Sequence, residues 1–360
     1  MTLALELRHS FPSFELDASF EVPKGVTVLF GRSGSGKTTI ANAVAGLFKP
    51  DFGRIALDGQ VLMDSSRGVF LPPHKRRLGY IFQEGRLFPH MTVRHNLAYG
   101  GRFAPRQEAV ENMERLIGLL GIEHLMDRRP ALLSGGEKQR VAIGRAILAS
   151  PRIVIADEPL AALDEQRKGE ILPLFEKLRD ELAVPILYVT HSPAEVARLA
   201  TTVVAMEHGK VARVGPPGEV LSDMQVMPLG VRAAGSMIVA RVAAHHDDGI
   251  TELDANGVSL FLPRLDKRPG ENIRVRIPAQ DVLLMRSRPE RISALNVIAG
   301  TVVEIRAGEG PGAMVSLKTD AGLLLARVTK RSVAALELAP GVVCHAVVKT
   351  VAIAPEDVGH

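Results

Sequence analysis

Gly31-Arg32-Ser33-Gly34-Ser35-Gly36-Lys37-Thr38 is the stretch on which the reading of this chain turns. Its glycines let successive backbone N–H groups point into one concavity, and a helix starting behind it adds positive potential, so the segment is suited to cradle phosphate. Lys37 would reach the β- and γ-phosphates of a nucleotide, the Thr38 hydroxyl would face Mg2+, and Thr39 completes the set of nucleotide contacts. The context fits. VTVLFG at 26–31 is a short apolar run rich in β-branched residues and reads as a strand, while IANAVAGLF has helical spacing at Ile40, Val44, Leu47 and Phe48. A glycine-rich turn matching by chance occurs in about one chain in a hundred, and the strand, loop and helix order lowers that further.

Working outward, IVIAD at 153–157 and PILYVT at 185–190 are again strand-length apolar runs, and Ile171, Leu174, Phe175 and Leu178 between them have helical spacing. Apolar strands alternating with helices predict a mainly parallel sheet covered on both faces. Residues 104–150 read as helices only, with Val110, Met113, Leu116, Ile117 and Leu120 on one face and a second helix from Ser134 to Ser150. An all-helical subdomain at about 90–150 is expected within the α/β domain.

Asp157 ends its strand, which is expected to lie beside the strand of the phosphate loop, where a carboxylate can hold the same Mg2+. Glu158 follows, placed to orient and deprotonate a water. Alone, an apolar run ending in Asp-Glu is usually a strand end and a solvated turn; beside a phosphate loop the functional reading prevails. In Leu133-Ser134-Gly135-Gly136-Glu137-Lys138-Gln139-Arg140, Ser134 and Glu137 form a capping box, yet two glycines weaken the first helical turn. An ordinary cap does not explain that pair. A helix start stripped of side chains is an anion site. His191 follows a strand and precedes Ser192-Pro193-Ala194-Glu195, another capping box with Pro at the first position.

After about residue 230 the texture changes. MIVARVAA, GVSLFL, NIRVRI, TVVEI, AMVSLKT, LLLARV and CHAVVKTVAI are short β-prone runs separated by Gly, Pro, Asn and Asp, which predicts an all-β domain of barrel type. Asn256-Gly257 and Asp320-Ala321-Gly322 are hairpin signals. Pro269-Gly270 followed by ENIRVRIPAQDVLL parallels Pro340-Gly341 followed by VVCHAVVKTVAI, so two small OB-like barrels in tandem fit, with a seam at 287–293. The expected organisation is an α/β phosphate-loop domain at 1–230 and a β-barrel domain at 236–360.

At 360 residues the chain exceeds one core, and 46% hydrophobic with 23% charged residues excludes disordered and fibrous classes. Lys and Arg number 44 against 40 Asp and Glu, without long runs of like charge, which argues against a nucleic-acid partner. No signal-peptide pattern and no stretch of about 18 apolar residues is present, so a protein on the cytoplasmic side is expected. Cys344, the only cysteine, excludes an internal disulfide and a multi-cysteine metal site, and VVCHAVV makes it a buried strand residue.

Over about residues 1–230 these motifs, in this order, resemble the ATPase subunits of ABC transporters, with a glutamine loop at Gln83 and an Ala161-Ala162-Leu163-Asp164 loop completing the set. The resemblance implies that Gln83 senses metal and attacking water, that Glu158 is the general base, and that His191 contacts the γ-phosphate. It also implies that Ser134, Gly135 and Gly136, with Asp164, meet the nucleotide of a second copy of the chain, so that ATP and Mg2+ are enclosed in a homodimer. Phe11 and Phe14 both lie where this family stacks an aromatic on adenine. Gln83 to Val93 resembles the importer form of the loop, which receives a helix of a membrane permease; packing of Leu87 and Phe88 on the helical subdomain is an equal reading. Ile292 to Gly300 is similar to the start of the small molybdate-binding barrel, where Ser293 and Asn296 would face an oxyanion, although Ala294-Leu295 replaces a pattern with a basic second residue. The whole chain then resembles the ATPase subunits of molybdate importers: peripheral on the cytoplasmic face of the inner membrane, partnered by permease subunits and indirectly by an external substrate-binding protein. A motor for sulfate, ferric iron or a sugar, a soluble ABC ATPase, and an oxyanion-sensing module are the other readings.

Overall fold

The computed structural model describes residues 2–101, 109–181, 184–224, 234–308 and 310–359, the side chains of 101 and 109–112 excepted. The chain forms two compact units, one of residues 1–191 with 199–214, the other of 192–198 with 215–360. The division thus falls earlier than the expected boundary at 230, because the short helix Pro217–Leu221 packs with the β-rich unit. The expected linker region lies mostly outside the described residues.

In the first unit, β1 (Leu3–Ser10), β2 (Glu15–Val22), β3 (Val26–Gly31), α1 (Lys37–Ala45), β4 (Phe52–Leu57), β5 (Gln60–Asp64), β6 (Val69–Phe70) and β7 (Leu78–Ile81) come first. Then come α2 (Val93–Gly101), α3 (Ala109–Leu120), α4 (Gly135–Leu148), β8 (Ile153–Asp157), α5 (Glu165–Glu181) and β9 (Ile186–Thr190), and, after α6 (Pro193–Leu199), which groups with the second unit, β10 (Thr202–Glu207) and β11 (Lys210–Gly215). One sheet runs β6-β5-β4-β1-β2-β11-β10-β3-β9-β8-β7. The portion from β10 to β7 is the parallel sheet expected; β6, β5, β4, β1 and β2 pair antiparallel with one another, and β2 joins β11 by a parallel pairing at Asp17 and Lys210. The two portions differ in burial, as their sequences do. All six residues of β3 and all five of β9 are buried, whereas β1 alternates between buried and open positions, so one face of the antiparallel wing meets solvent. α1 ends earlier than its apolar spacing suggested, because Gly46 takes a left-handed conformation (φ 77°) and caps it, leaving Leu47 exposed. The helical subdomain is α2, α3 and α4; Val110 of its expected apolar face lies outside the described side chains.

The second unit adds α7 (Pro217–Leu221), β12 (Gly235–His245), β13 (Ile250–Ala255), β14 (Val258–Pro263), β15 (Asn272–Pro278) and β16 (Leu283–Met285). β17 (Asn296–Ala307), β18 (Gly312–Thr319), β19 (Gly322–Thr329), α8 (Lys330–Ala335), β20 (Val343–Val348) and β21 (Val358–Gly359) follow. The internal repeat is real down to backbone angles: the 3-10 turn after β15 is entered at Pro278 (φ −62°, ψ 133°), and the one after β20 at Lys349 (φ −69°, ψ 135°). The two halves exchange their last strands. β16 leaves the first half to pair with β20, and β21 returns from the second to pair with β15, giving sheets β14-β13-β12-β15-β21 and β16-β20-β17-β18-β19. One apolar cluster, from Ile238 through Leu317 to Val358, fills both, so the halves share a core where two separate barrels were expected. Asn256 (φ 53°) and Gly257 (φ 86°) make the hairpin turn their sequence signals, and Cys344 is buried within β20.

Candidate nucleotide-hydrolysing site

Two glycines of the loop 31–36, Gly31 and Gly36, sit where the fold leaves no room for a side chain. A Cβ on Gly31 would lie 2.4 Å from the Met206 carbonyl oxygen, and Gly36 (φ 94°) would press its own 2.8 Å from Leu16 Cδ1. Arg32, Ser33 and Gly34 stand exposed, Gly34 at φ 81°. Lys37 is buried, and its ammonium donates to the carbonyls of Gly31 and Arg32 at 2.8 Å each, leaving one proton for an oxygen ligand. Burial pulls its pKa down, opposed by Glu158 and Asp157 nearby. The Ser35 hydroxyl is buried without a partner. Gly36 supplies no side-chain cap, so the first N–H groups of α1 face outward with exposed Thr38 and half-buried Thr39 beside them. An orphaned hydroxyl, free amides and a half-committed ammonium around one loop are what a phosphate satisfies.

Asp157 is not on a strand beside β3. β9 lies between β3 and β8, and α1, which packs over both β8 and β9, carries the loop across that gap. Thr38 Oγ1 meets Asp157 Oδ1 at 3.0 Å. Burial raises the Asp157 carboxyl, while bonds from Thr38 and Tyr80 pull it back. Two hard oxygens at this spacing, open on the Thr38 side, fit a Mg2+ ion that completes its shell with phosphate and water. No cluster of three or more His, Cys, Asp or Glu stands elsewhere among the described residues as a rival metal site.

Glu158 takes a left-handed backbone conformation (φ 45°), fixed by its N–H donating to Val189 O at 3.0 Å. A glutamate held there is strained, as residues at functional sites often are. The twist turns its carboxylate off the strand toward His191, whose Nδ1 lies 3.4 Å from Glu158 Oε1. Gln83 is exposed just past β7, whose Ile81 pairs with Ala156, so it emerges at the same sheet edge as Asp157 and Glu158.

Ser134 caps α4 as its sequence signals: Glu137 N–H donates to Ser134 Oγ at 3.3 Å, and Ser134 N–H donates to Glu137 Oε2 at 2.6 Å. The Ser134 hydroxyl lies beside that same carboxylate. The fold gives no steric reason for Gly135 or Gly136, since a Cβ would meet nothing closer than 3.6 Å and 3.8 Å respectively. A cavity of about 400 Å³ opens here, lined by Ser134, Gly136, Glu137, Asp164 and Arg167 among others. Asp164 starts α5, accepting from Arg167 N–H at 2.9 Å. These groups face their own cavity and are not brought to the Gly31–Thr38 loop within the chain.

Phe11 stacks with two rings, Phe14 at 4.8 Å and Phe48 at 5.9 Å. Phe14 has only one such neighbour and its Cε2 is 3.6 Å from the Cβ position of Gly36. Phe88 packs on Tyr99 at 4.5 Å and under the Arg145 guanidinium at 5.2 Å, with Leu87 half-buried beside it. The packing reading holds for Phe88, and its ring at the same time lines a groove of about 340 Å³ with Tyr80, Phe82 and Arg86. In the second unit, Ser293 is exposed but Asn296 is fully buried, its amide paired with both the N–H (2.6 Å) and the carbonyl (2.9 Å) of Phe261. Asn296 therefore ties β14 to β17, where an outward-facing ligand was expected.

Residues 16–161 match the ABC transporter family, and 292–354 match the TOBE domain. The molybdenum import ATP-binding protein ModC of Rhizobium meliloti is 50% identical, covering 98% of this chain and 99% of its own. The protein of that name from Mesorhizobium japonicum is 48% identical, covering 98% and 95%. The chain belongs to this family. Among solved structures, cbiO1 from Clostridium perfringens, part of the ABC transporter complex cbiONQ, superposes with a TM-score of 0.54 at 29% identity, covering 62% of this chain and 92% of that one. As a member of the family the chain carries an ATP-binding ABC domain, and among the described residues no helix is long and apolar enough to cross a membrane. Tyr80, whose hydroxyl meets Asp157 Oδ2 at 3.1 Å, was not legible as a site residue, since an aromatic in a strand has a commonplace reading.

Proposed function

We propose that the chain is the ATP-hydrolysing, energy-coupling subunit of a molybdate importer, working as a homodimer on the cytoplasmic face of the inner membrane with permease subunits. The observation that carries the chemistry is the arrangement of Lys37, Thr38, Asp157, Glu158 and His191 at one sheet edge. The cargo rests on the likeness to the molybdenum import proteins, which runs through the C-terminal unit as well.

The loop amides of Gly31–Gly36 and Lys37 bind the β- and γ-phosphates, and Phe14, the less enclosed ring, stacks on adenine. Thr38 and Asp157, with Gln83, hold Mg2+, which when bound neutralises phosphate charge. Glu158 takes the proton of the attacking water, and His191, close to its carboxylate, contacts the γ-phosphate from the next strand. The Ser134 hydroxyl and the bare Gly135–Gly136 turn serve the γ-phosphate bound by the second copy, with Asp164 lining the same cavity. The groove at Phe82, Arg86 and Phe88 receives the permease helix. In the C-terminal unit, Ser293 and the adjacent backbone remain for an oxyanion, and the unit regulates or helps dimerise.

Glu158→Gln tests the chemistry: ATP binding should persist and a nucleotide-bound dimer accumulate, while turnover falls by about 10² to 10⁴. Turnover near wild type removes Glu158 from the role of base. The cargo is tested in cells lacking the gene, where uptake of trace molybdate should be lost, be restored by the wild-type chain and not by the Gln variant. Unchanged molybdate uptake with lost sulfate uptake would reassign the cargo. Calorimetry of the full chain with molybdate, tungstate and sulfate addresses the C-terminal unit, and absence of heat with all three leaves it an assembly role.

A further inference from the structure

Tyr80 lies in β7, opposite Ile155 of β8, and leads toward Gln83. Its hydroxyl is 3.1 Å from Asp157 Oδ2 and 3.0 Å from Asn42 Oδ1. The other oxygen of Asp157 accepts from Thr38. Thr38 and Asn42 both belong to α1, at positions i and i+4, so they share one helix face. The four polar groups therefore close a ring: Asn42 to Tyr80, Tyr80 to Asp157, and Asp157 back to the helix at Thr38.

A phenol has one proton, and an ionised carboxylate is a stronger acceptor than an amide oxygen. The proton belongs on the Asp157 side. Half a turn of the Asn42 amide exchanges its oxygen and nitrogen, so that Nδ2 donates into the phenol oxygen and every member of the ring is satisfied. The Tyr80 ring is independently fixed, stacked on Phe82 at 4.2 Å and 27°.

We propose that Tyr80 is a positioning residue of the hydrolytic site: by holding Asp157 Oδ2 it turns Oδ1 toward Thr38 and presets the carboxylate for the divalent cation. This rests on the reading of Thr38 and Asp157 as cation ligands. Groups that hydrogen-bond a ligating carboxylate fix its orientation, and losing one typically costs about 10- to 100-fold in metal affinity or activity.

The test is Tyr80→Phe in the full-length protein, which keeps the ring and its stacking. Mn2+ is titrated into the ADP-loaded protein by electron paramagnetic resonance, and ADP binding is measured separately in chelator. Mn2+ affinity should fall by about 10-fold or more while ADP binding in chelator stays at the wild-type value. An equal loss in both would make Tyr80 a structural residue only and overturn the proposal. Asp157→Asn is run alongside. If it weakens Mn2+ and Tyr80→Phe does not, Tyr80 has no positioning role; if neither weakens Mn2+, the cation reading of Asp157 itself falls and takes the proposal with it.

Discussion

Ser134 shows how one residue serves two purposes without conflict. Its oxygen accepts from Glu137 N–H, and its own N–H, with its hydroxyl beside it, faces the Glu137 carboxylate. The N–H of Ser134 is the main reason that Glu137 is held below its ordinary value of 4.5. The folded value lies below the unfolded one, so this bridge contributes above the unfolded pKa and is lost as pH falls through the folded pKa. Wild type should therefore lose more thermal stability than Glu137→Gln on acidification below about 4.5, a difference read from melting curves of both proteins across that window. An equal acid loss would show that the bridge has no net worth in solution. The capping box was legible because its residue types and spacing encode it. The role of Tyr80 was not, because it depends on which strand lies beside β8, and strand order is a property of the whole sheet.

At the level of elements, α1 is held at both ends. Its start meets Asp157, and its end receives the buried Arg76, which donates to Ala43 O at 2.7 Å, Val44 O at 2.8 Å and Leu71 O at 2.7 Å. Burial lowers the pKa of that guanidinium to about 10, yet it remains a cation at the negative end of the helix. Arg76→Met should leave the Val44 and Leu71 carbonyls without this donor, while Ala43 O keeps the Gly46 N–H, and, at about 1 to 3 kcal/mol for each buried unsatisfied group, destabilise the first unit by about 2 kcal/mol or more. Arg76→Lys, which retains charge and some donors, should lose less. The first urea transition of each variant checks the order, and parity of Met with wild type would show that water replaces the guanidinium. Strands β3, β8 and β9 and the three long helices were readable from apolar period and length. The antiparallel wing was missed although β1 alternates plainly, because attention to continuous apolar runs selects for strands buried on both faces.

On the scale of the molecule, the second unit depends on pairings made late in the chain. Arg276 on β15 bonds Asp357, just before β21, at 2.8 Å, and both side chains are buried. Burial raises the Asp357 carboxyl despite the arginine, so the pair is held against a desolvation cost. Asp357→Asn should destabilise this unit by about 3 to 5 kcal/mol by removing the carboxylate that balances a buried cation, and combining it with Arg276→Met should recover much of that loss. Chemical denaturation of the single and double variants measures it, and additive losses would refute the coupling. The barrel class and its repeat could be read from turns and strand lengths, whereas the exchange of β16 and β21 could not, since either half could equally have closed on itself. That exchange has a consequence for biosynthesis. On the side of β15 away from β12, Arg274 and Val275 find their partners at Gly359 and Val358, so the first sheet stays open at that edge until the second half has been made. At about 5 to 20 residues per second, the interval is several seconds, during which the nascent ATPase unit is already complete. A chain cut before Val358 keeps every nucleotide-binding residue and carries an unclosed C-terminal sheet, whose unpaired β15 edge is a template for aggregation.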